Sequence, residues 1–259
     1  MKHSLYLAAA VLTAVWMSSC NAKRTEPLCA GSVVRDTLNG TPCCVYMPNK
    51  VQSDKPYPVL YLQHGMYGNE DDWTAKGRLV EIMDSLLQIG EVKQMVVIMP
   101  DNCPAKPTSE EERANAMNGE WVLQFPTFMA EAEARYPISH EPSQRAIAGL
   151  SMGGFHTLHV SHHLHGQFAY VGLFSAAIRP VEDYPVYANR EDEVREQMKT
   201  TTLYWIGIGR EDFLYDDNAD YRRWLEANHL EYTYYESAGG HTWDNWQDYL
   251  GRFLPKLFQ

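Results

Sequence analysis

The stretch Arg145-Ala146-Ile147-Ala148-Gly149-Leu150-Ser151-Met152-Gly153-Gly154 decides how the rest of the chain is read. A largely apolar run leads into a serine that has a glycine two positions before it and another two positions after it. The pattern G-x-S-x-G marks a sharp strand-to-helix turn that holds a serine hydroxyl in a strained, exposed position. Side chains at the two flanking positions of so tight a turn would collide with each other or with the neighbouring strand, so glycine is favoured at both. Gly154 relaxes the next position. An ordinary glycine-bearing turn would show the same five residues, so the reading depends on what the rest of the chain supplies.

Working outward, the same strand-and-helix alternation recurs. Upstream, Val59 to Gln63 is an apolar strand ending at His64-Gly65-Met66-Tyr67-Gly68, and a buried parallel strand reads as such an unbroken run. Leu79, Ile82, Met83, Leu86 and Leu87 predict a helix over Arg78 to Ile89 closed by Gly90, and Met95 to Met99 is the next strand. Ser32 to Leu38 and Cys43 to Met47, separated by Asn39-Gly40-Thr41-Pro42, predict a hairpin. Asn102 to Met117 is polar and proline-bearing, long enough to be a loop over a site. Phe125, Phe128, Met129 and Ala132 carry helical spacing up to Pro137. Downstream, the pattern predicts a helix over Gly153 to His165, strands over Tyr170 to Phe174 and Leu203 to Ile208, and a polar helical stretch around Glu191 to Lys199. It then predicts a helix over Asp220 to Asn228, a strand over Glu231 to Glu236 and a closing helix over Trp243 to Phe258. This repetition implies an α/β fold, a mostly parallel sheet with helices on both faces.

With 259 residues, 45% of them hydrophobic, the chain suffices for one large α/β domain with a sizeable core, expected over residues 31–259. A formal charge of −11 argues against a phosphate-backbone partner, which would call for a basic face, so no nucleic-acid partner is expected. Glu110, Glu111 and Glu112 read as a solvated face rather than a metal site. Residues 1–19 have the proportions of a signal peptide, with Lys2 and His3 before the apolar run Leu5 to Trp16. Met17-Ser18-Ser19-Cys20 resembles a bacterial lipobox, departing from it at Met17, where leucine is usual. Lipid on Cys20 would tether the protein through residues 20–30 without spanning the membrane, whereas cleavage after Ala22 would release a soluble product. Both readings place it outside the cytoplasm. There a bridge from Cys29 to Cys43 or Cys44 is permitted, with connectivity left open.

A serine hydroxyl needs a base to take its proton and a third group to orient that base. In the α/β-hydrolase fold these follow the serine in the order acid, then histidine. The strand ending in Gly209-Arg210-Glu211-Asp212 places a carboxylate at a strand's carboxyl end, with Asp212 the first choice, Glu211 its neighbouring rival and Asp183 a remote one. His241, in Gly239-Gly240-His241-Thr242-Trp243 between the last strand and the last helix, is the candidate base. Two backbone N–H groups should form an oxyanion hole: that of Met152, after the nucleophile, and that of Met66, after an early strand, with Tyr67 as the alternative. His159 and His163 have the i, i+4 spacing that could hold zinc, but they belong to a row with His156, His162 and His165 and lack a third ligand. A surface or interhelix row is the simpler reading.

Together, Val45-Tyr46-Met47-Pro48, Tyr61 to Met66 with Asp72-Trp73, Ala148 to Gly154, Gly209 to Asp212 and Gly239 to Trp243 resemble the esterase family that groups esterase D, S-formylglutathione hydrolase, enterochelin esterase, mycolyltransferases and the family-one carbohydrate esterases. The resemblance spans nearly the whole mature chain. It implies an α/β-hydrolase fold, a Ser151, His241, Asp212 triad, no cofactor or metal, and a small-molecule or oligosaccharide ester as substrate. The lipoprotein-like start most resembles extracytoplasmic esterases that remove acetyl or feruloyl groups from xylan. Acyl transfer, thioester or siderophore hydrolysis, and a non-catalytic glycan-binding surface lipoprotein are the alternatives. Tyr67, Trp73, Trp121 and Trp243 are candidate pocket aromatics, since such rings stack on sugar or phenolic rings and equally well fill cores.

Overall fold

Two short β-prone runs open the fold because Asn39 and Gly40 both take positive φ, 48° and 75°. That is the twist a two-residue hairpin turn requires. In the computed structural model, which describes residues 31–49, 55–103, 106–117, 119–178 and 190–259, they form the antiparallel pair β1 (Ser32–Leu38) and β2 (Thr41–Met47). The signal-peptide and tether readings, Cys20, Cys29 and Asp183 all lie outside the described residues. Cys43, Cys44 and Cys103 are buried.

The apolar runs become β3 (Val59–Gln63), β4 (Val96–Pro100), β5 (Arg145–Leu150) and β6 (Tyr170–Phe174), each buried along its whole length. They are joined by β7 (Leu203–Gly209) and β8 (Thr233–Ser237) in one sheet ordered β1-β2-β4-β3-β5-β6-β7-β8. Pairing is antiparallel at β1–β2 and β2–β4 and parallel elsewhere. Val59, Tyr61 and Ile147 point to one face, where α4 (Glu120–Arg135), α5 (Met152–His163) and α7 (Tyr215–Ala227) pack through Phe125, Phe128, Leu158 and Tyr221. Leu60, Leu62, Ala146 and Ala148 point to the other, covered by α1 (Asp72–Ala75), α2 (Leu79–Ile89) and α8 (Trp243–Phe253) through Trp73, Met83 and Phe253. The period-two alternation within fully buried, mostly apolar strands thus builds two cores at once.

From β3 the chain crosses to β4 on one side, and the next strand, β5, lies on the other side of β3. The carboxyl ends of β3 and β5 therefore flank a topological switch point, where open α/β sheets leave a crevice. Some bounds differ from the sequence reading. The segment Asn102 to Met117 contains a short helix, α3 (Glu110–Asn115), and the polar stretch near Glu191 is α6 (Arg190–Met198). The helix expected from Asp220 starts at Tyr215, and the closing helix gives way to a 3-10 turn at Leu254–Lys256, which contains Pro255. Among the described residues no helix is long and apolar enough to cross a membrane.

Candidate active site

Ser151 sits between β5 and α5 at φ 54°, ψ −118°, a region a residue with a side chain occupies only when its surroundings hold it there. Those surroundings are visible. Its N–H donates to the Phe174 carbonyl, and its own carbonyl accepts from Phe155 and Ala177 N–H, all at 3.0 Å. A Cβ on Gly149 would stand 2.4 Å from the Gly153 carbonyl oxygen, and one on Gly153 would stand 2.4 Å from that of His64. Gly154 does more than relax the turn, since a Cβ there would meet Ala176 at 2.6 Å. The glycines let β5, α5 and the loops after β3 and β6 approach one another closely. Met152 opens α5, so its N–H has no acceptor within the helix.

The loop after β3 is brought beside this turn by Gly65, where a Cβ would lie 2.6 Å from Leu150 Cδ1. Gly68 N–H closes the loop by donating to Gly65 O at 3.1 Å, and Tyr67 takes φ 65°. At the far end of the sheet, the loops after β7 and β8 knit together through Arg210 N–H to Ser237 O and Glu211 N–H to Gly239 O, at 3.0 and 3.1 Å. Gly209 permits this contact, because a Cβ would fall 2.2 Å from Gly239 O.

The knitted loops place His241 Nδ1 at 3.0 and 2.9 Å from the two carboxylate oxygens of Asp212. The Asp212 side chain is 0% exposed, and its Oδ1 also accepts from Leu214 N–H at 3.0 Å. Burial pushes the Asp212 carboxyl up, but the His241 hydrogen bond, with help from Leu214 N–H and the Ser175 side chain, holds it below the ordinary carboxylate value. Glu211 is exposed, and among the described residues it is Asp212 that meets the imidazole. The His241 ring is boxed by Phe213, with centroids 4.5 Å apart, and by the edge-on ring of Trp246 at 4.9 Å.

Ser151, His241, Met66 and Met152 line one cleft of about 540 Å³. Its wall includes Tyr67 and Trp243, as the sequence reading expects, and also Phe213, Trp246, Met117 and Arg113. Trp73 and Trp121 correct that reading. Trp73 is 0% exposed and donates its indole N–H to Gln63 O at 3.1 Å, while Trp121, also buried, donates to Gln63 Oε1 at 2.6 Å. Both indoles anchor the end of β3 from opposite faces of the sheet instead of meeting the cleft. Phe213 and Trp246 were missed, although signals existed: Phe213 adjoins the candidate acid, and Trp246 stands one helical turn after Trp243.

The histidine row divides: His156, His159 and His162 are buried on α5, whereas His163 and His165 are exposed. His156 accepts from Asn102 Nδ2 at 2.9 Å and donates from Nε2 to Ala116 O at 3.1 Å, and burial pushes its pKa down to about 3. Among the described residues no group of three or more His, Cys, Asp or Glu is placed to hold a metal ion.

A mostly parallel sheet with a serine on the turn after a central strand, and a His–Asp pair on the loops after the last two strands, is the architecture of an α/β-hydrolase. The model of the esterase family, described as "Putative esterase", matches residues 40–257, and the chain belongs to this family of carboxylic ester hydrolases. It is 23% identical over 225 residues to an acetyl esterase of Caldicellulosiruptor saccharolyticus, covering 74% of this chain and 80% of that protein. It is 31% identical over 141 residues to an endo-1,4-beta-xylanase/feruloyl esterase of Xylanibacter ruminicola, covering 51% of this chain and 19% of that longer protein. A CE1 ferulic acid esterase from Anaeromyces mucronatus, solved with ferulic acid, shares the fold with a TM-score of 0.75 at 22% identity, over 91% of this chain and 93% of that one.

Proposed function

We propose that the chain is a serine carboxylesterase acting by two-step acyl transfer. Ser151 attacks the ester carbonyl while His241 Nε2 takes its proton, and Asp212 orients the imidazole and stabilises its charged form. The Met66 and Met152 N–H groups receive the developing oxyanion. His241 returns the proton to the departing alcohol, and water then enters by the same route to release the acid. The observation that carries this reading is the His241–Asp212 pair, 2.9 Å apart, opening into the same cleft as the constrained Ser151.

The substrate is an acetyl or feruloyl ester on plant polysaccharide. Support comes from the acetyl esterase and xylanase/feruloyl esterase relatives and from a cleft rim of Tyr67, Phe213 and Trp243 that suits sugar and phenolic rings. The protein works outside the cytoplasm, tethered by lipid on Cys20. Ser151→Ala is expected to abolish hydrolysis of p-nitrophenyl acetate and labelling by a fluorophosphonate while the melting temperature stays put. Activity surviving in that variant removes Ser151 from the chemistry. Acetylated xylo-oligosaccharides, methyl ferulate, longer acyl esters and S-formylglutathione, assayed side by side, test the substrate class. A preference for either of the last two overturns it.

A further inference from the structure

The loop that carries Met66 is gripped from below by a polar network that the mechanism does not use. His64 is 1% exposed. Its Nδ1 lies 2.7 Å from Gly65 O, and its Nε2 lies 3.1 Å from Asp101 Oδ1. A carbonyl oxygen only accepts hydrogen bonds, so in the contact with Gly65 O the ring is the donor. Asp101 Oδ1 also receives Cys103 N–H and Lys106 Nζ, each at 3.3 Å. Lys106 Nζ donates in addition to the carbonyls of Gly68 and Cys103, and Asn102 Nδ2 donates to His64 O at 3.3 Å. The carbonyls of His64, Gly65 and Gly68 are thus each held by a donor from the His64 ring or from the segment after β4.

We infer that His64, backed by Asp101, is a positioning residue for the oxyanion site, fixing the Gly65–Met66 peptide so that the Met66 N–H faces the Ser151 side of the cleft. The inference rests on the proposed role of Met66. All described peptide bonds are trans, and in a trans peptide the C=O and N–H point in opposite directions. Holding Gly65 O toward the buried ring therefore aims the Met66 N–H away from it, toward the cleft that Met66 lines. A donor on the carbonyl also polarises the peptide and makes its N–H the stronger donor. Packing alone does not account for the arrangement, since a buried hydrogen-bonded polar pair adds little net stability over apolar residues of similar volume. Burial pushes the Asp101 carboxyl up, yet its contacts with His64 and Lys106 hold it below the ordinary value, so it is ionised at neutral pH.

Two substitutions separate the contacts. In His64→Asn the amide nitrogen falls where Nδ1 sits and still reaches Gly65 O. In His64→Gln it falls near Nε2 and reaches only Asp101. With the full chain and p-nitrophenyl acetate, His64→Gln is expected to lower kcat by about 30- to 100-fold with KM unchanged within about twofold, somewhat less than the loss of a whole oxyanion donor. His64→Asn should retain most of the rate. Asp101→Asn, which keeps an acceptor for Nε2 and removes the charge, should lower kcat by about tenfold at unchanged KM. Melting temperatures are read for each. The inference is overturned if Asn and Gln at position 64 are equally impaired, if kcat follows the melting temperature across the series, or if Asp101→Asn leaves kcat intact. Ser151→Ala, run alongside, keeps the two levels apart. Activity in that variant overturns the nucleophile itself, whereas its inactivity beside unaffected His64 variants overturns only the positioning role.

Discussion

Replacing Asp212 with Asn changes one atom at the best-defined contact of the site. Asp212 Oδ1 accepts from both Leu214 N–H and His241 Nδ1 at 3.0 Å, while Oδ2 accepts from His241 Nδ1 at 2.9 Å. In Asp212→Asn the Leu214 N–H keeps the amide oxygen in the Oδ1 position, leaving an NH2 group where Oδ2 was. Two donors then face each other at Nδ1, and the imidazole relieves this by moving its proton to Nε2. A ring protonated at Nε2 offers Ser151 no lone pair, so the base is lost although the shape is preserved. The corresponding change in a serine-protease triad costs about 10⁴-fold in kcat. A loss of about 10³- to 10⁴-fold is expected here, or about 4–5.5 kcal/mol on the barrier. The assay is steady-state hydrolysis of p-nitrophenyl acetate at pH 7, with KM expected within a factor of a few and a fluorophosphonate labelling rate reduced in parallel. Glu211→Gln, at an exposed carboxylate, serves as the control and should change the rate less than about twofold, as ordinary surface substitutions do. A loss under tenfold for Asp212→Asn, or a larger one for Glu211→Gln, would refute the assignment.

Asp101 and Asp212 both lie below the ordinary carboxylate value when folded. A group depressed in this way contributes stability above its unfolded pKa of about 3.9 and loses that contribution as pH falls through the folded value. The urea midpoint should therefore hold level above about pH 5 and decline below about pH 4, less steeply in Asp101→Asn and Asp212→Asn, and identical acid limbs in all three proteins would contradict this. Gly153→Ala would put a Cβ 2.4 Å from His64 O and 2.6 Å from Gln63 O, both backbone atoms. It should cost about 1–3 kcal/mol in urea unfolding and lower kcat together with stability, whereas a wild-type midpoint would mean the approach of α5 to β3 is looser than described. Phe213 is 75% exposed and lies against the His241 ring at a tilt of 50°. Phe213→Ala should leave stability within about 0.5 kcal/mol and raise KM for methyl ferulate by up to about tenfold while sparing acetyl esters. Equal changes for both substrates would remove Phe213 from acyl recognition.

Much of the fold was legible because strands buried on both faces are predominantly apolar, so β3, β5 and β6 stand out as near-continuous apolar runs, with Gln63 and Arg145 only at the ends of β3 and β5. The elbow was legible partly for a local reason, since the collision that excludes a side chain at position 149 is with the Gly153 carbonyl four residues on, whereas the one that excludes a side chain at position 153 is with the distant His64 and Gln63 carbonyls. Helix ends were less clear. The start of α7 at Tyr215 is set by the loop that holds Asp212, where Tyr215 N–H bonds Asp212 O at 3.0 Å, and periodicity does not record that constraint. Aromatic residues were ambiguous for a different reason. An indole that anchors a strand end, as in Trp73 and Trp121, has the same letter as one that lines a cleft, as in Trp243, and only the direction of the strand below it separates them.

By itself, then, the sequence determined what sterics and burial dictate locally: a mostly parallel sheet, a serine on a turn that glycine alone permits, and a carboxylate and a histidine at the ends of later strands. The tertiary structure decided which groups meet. The parallel register of β7 and β8 and the contact of Gly209 with Gly239 O bring His241 to Asp212 and leave Glu211 in solvent. The parallel register of β3 on β4, with Val59 opposite Val96, puts Asp101 beside His64, 37 residues away in sequence, so the grip on the Met66 loop has no signature in either segment alone. Hydrogen bonds between side chains so far apart depend on where whole strands are placed, and that placement is a property of the packed sheet.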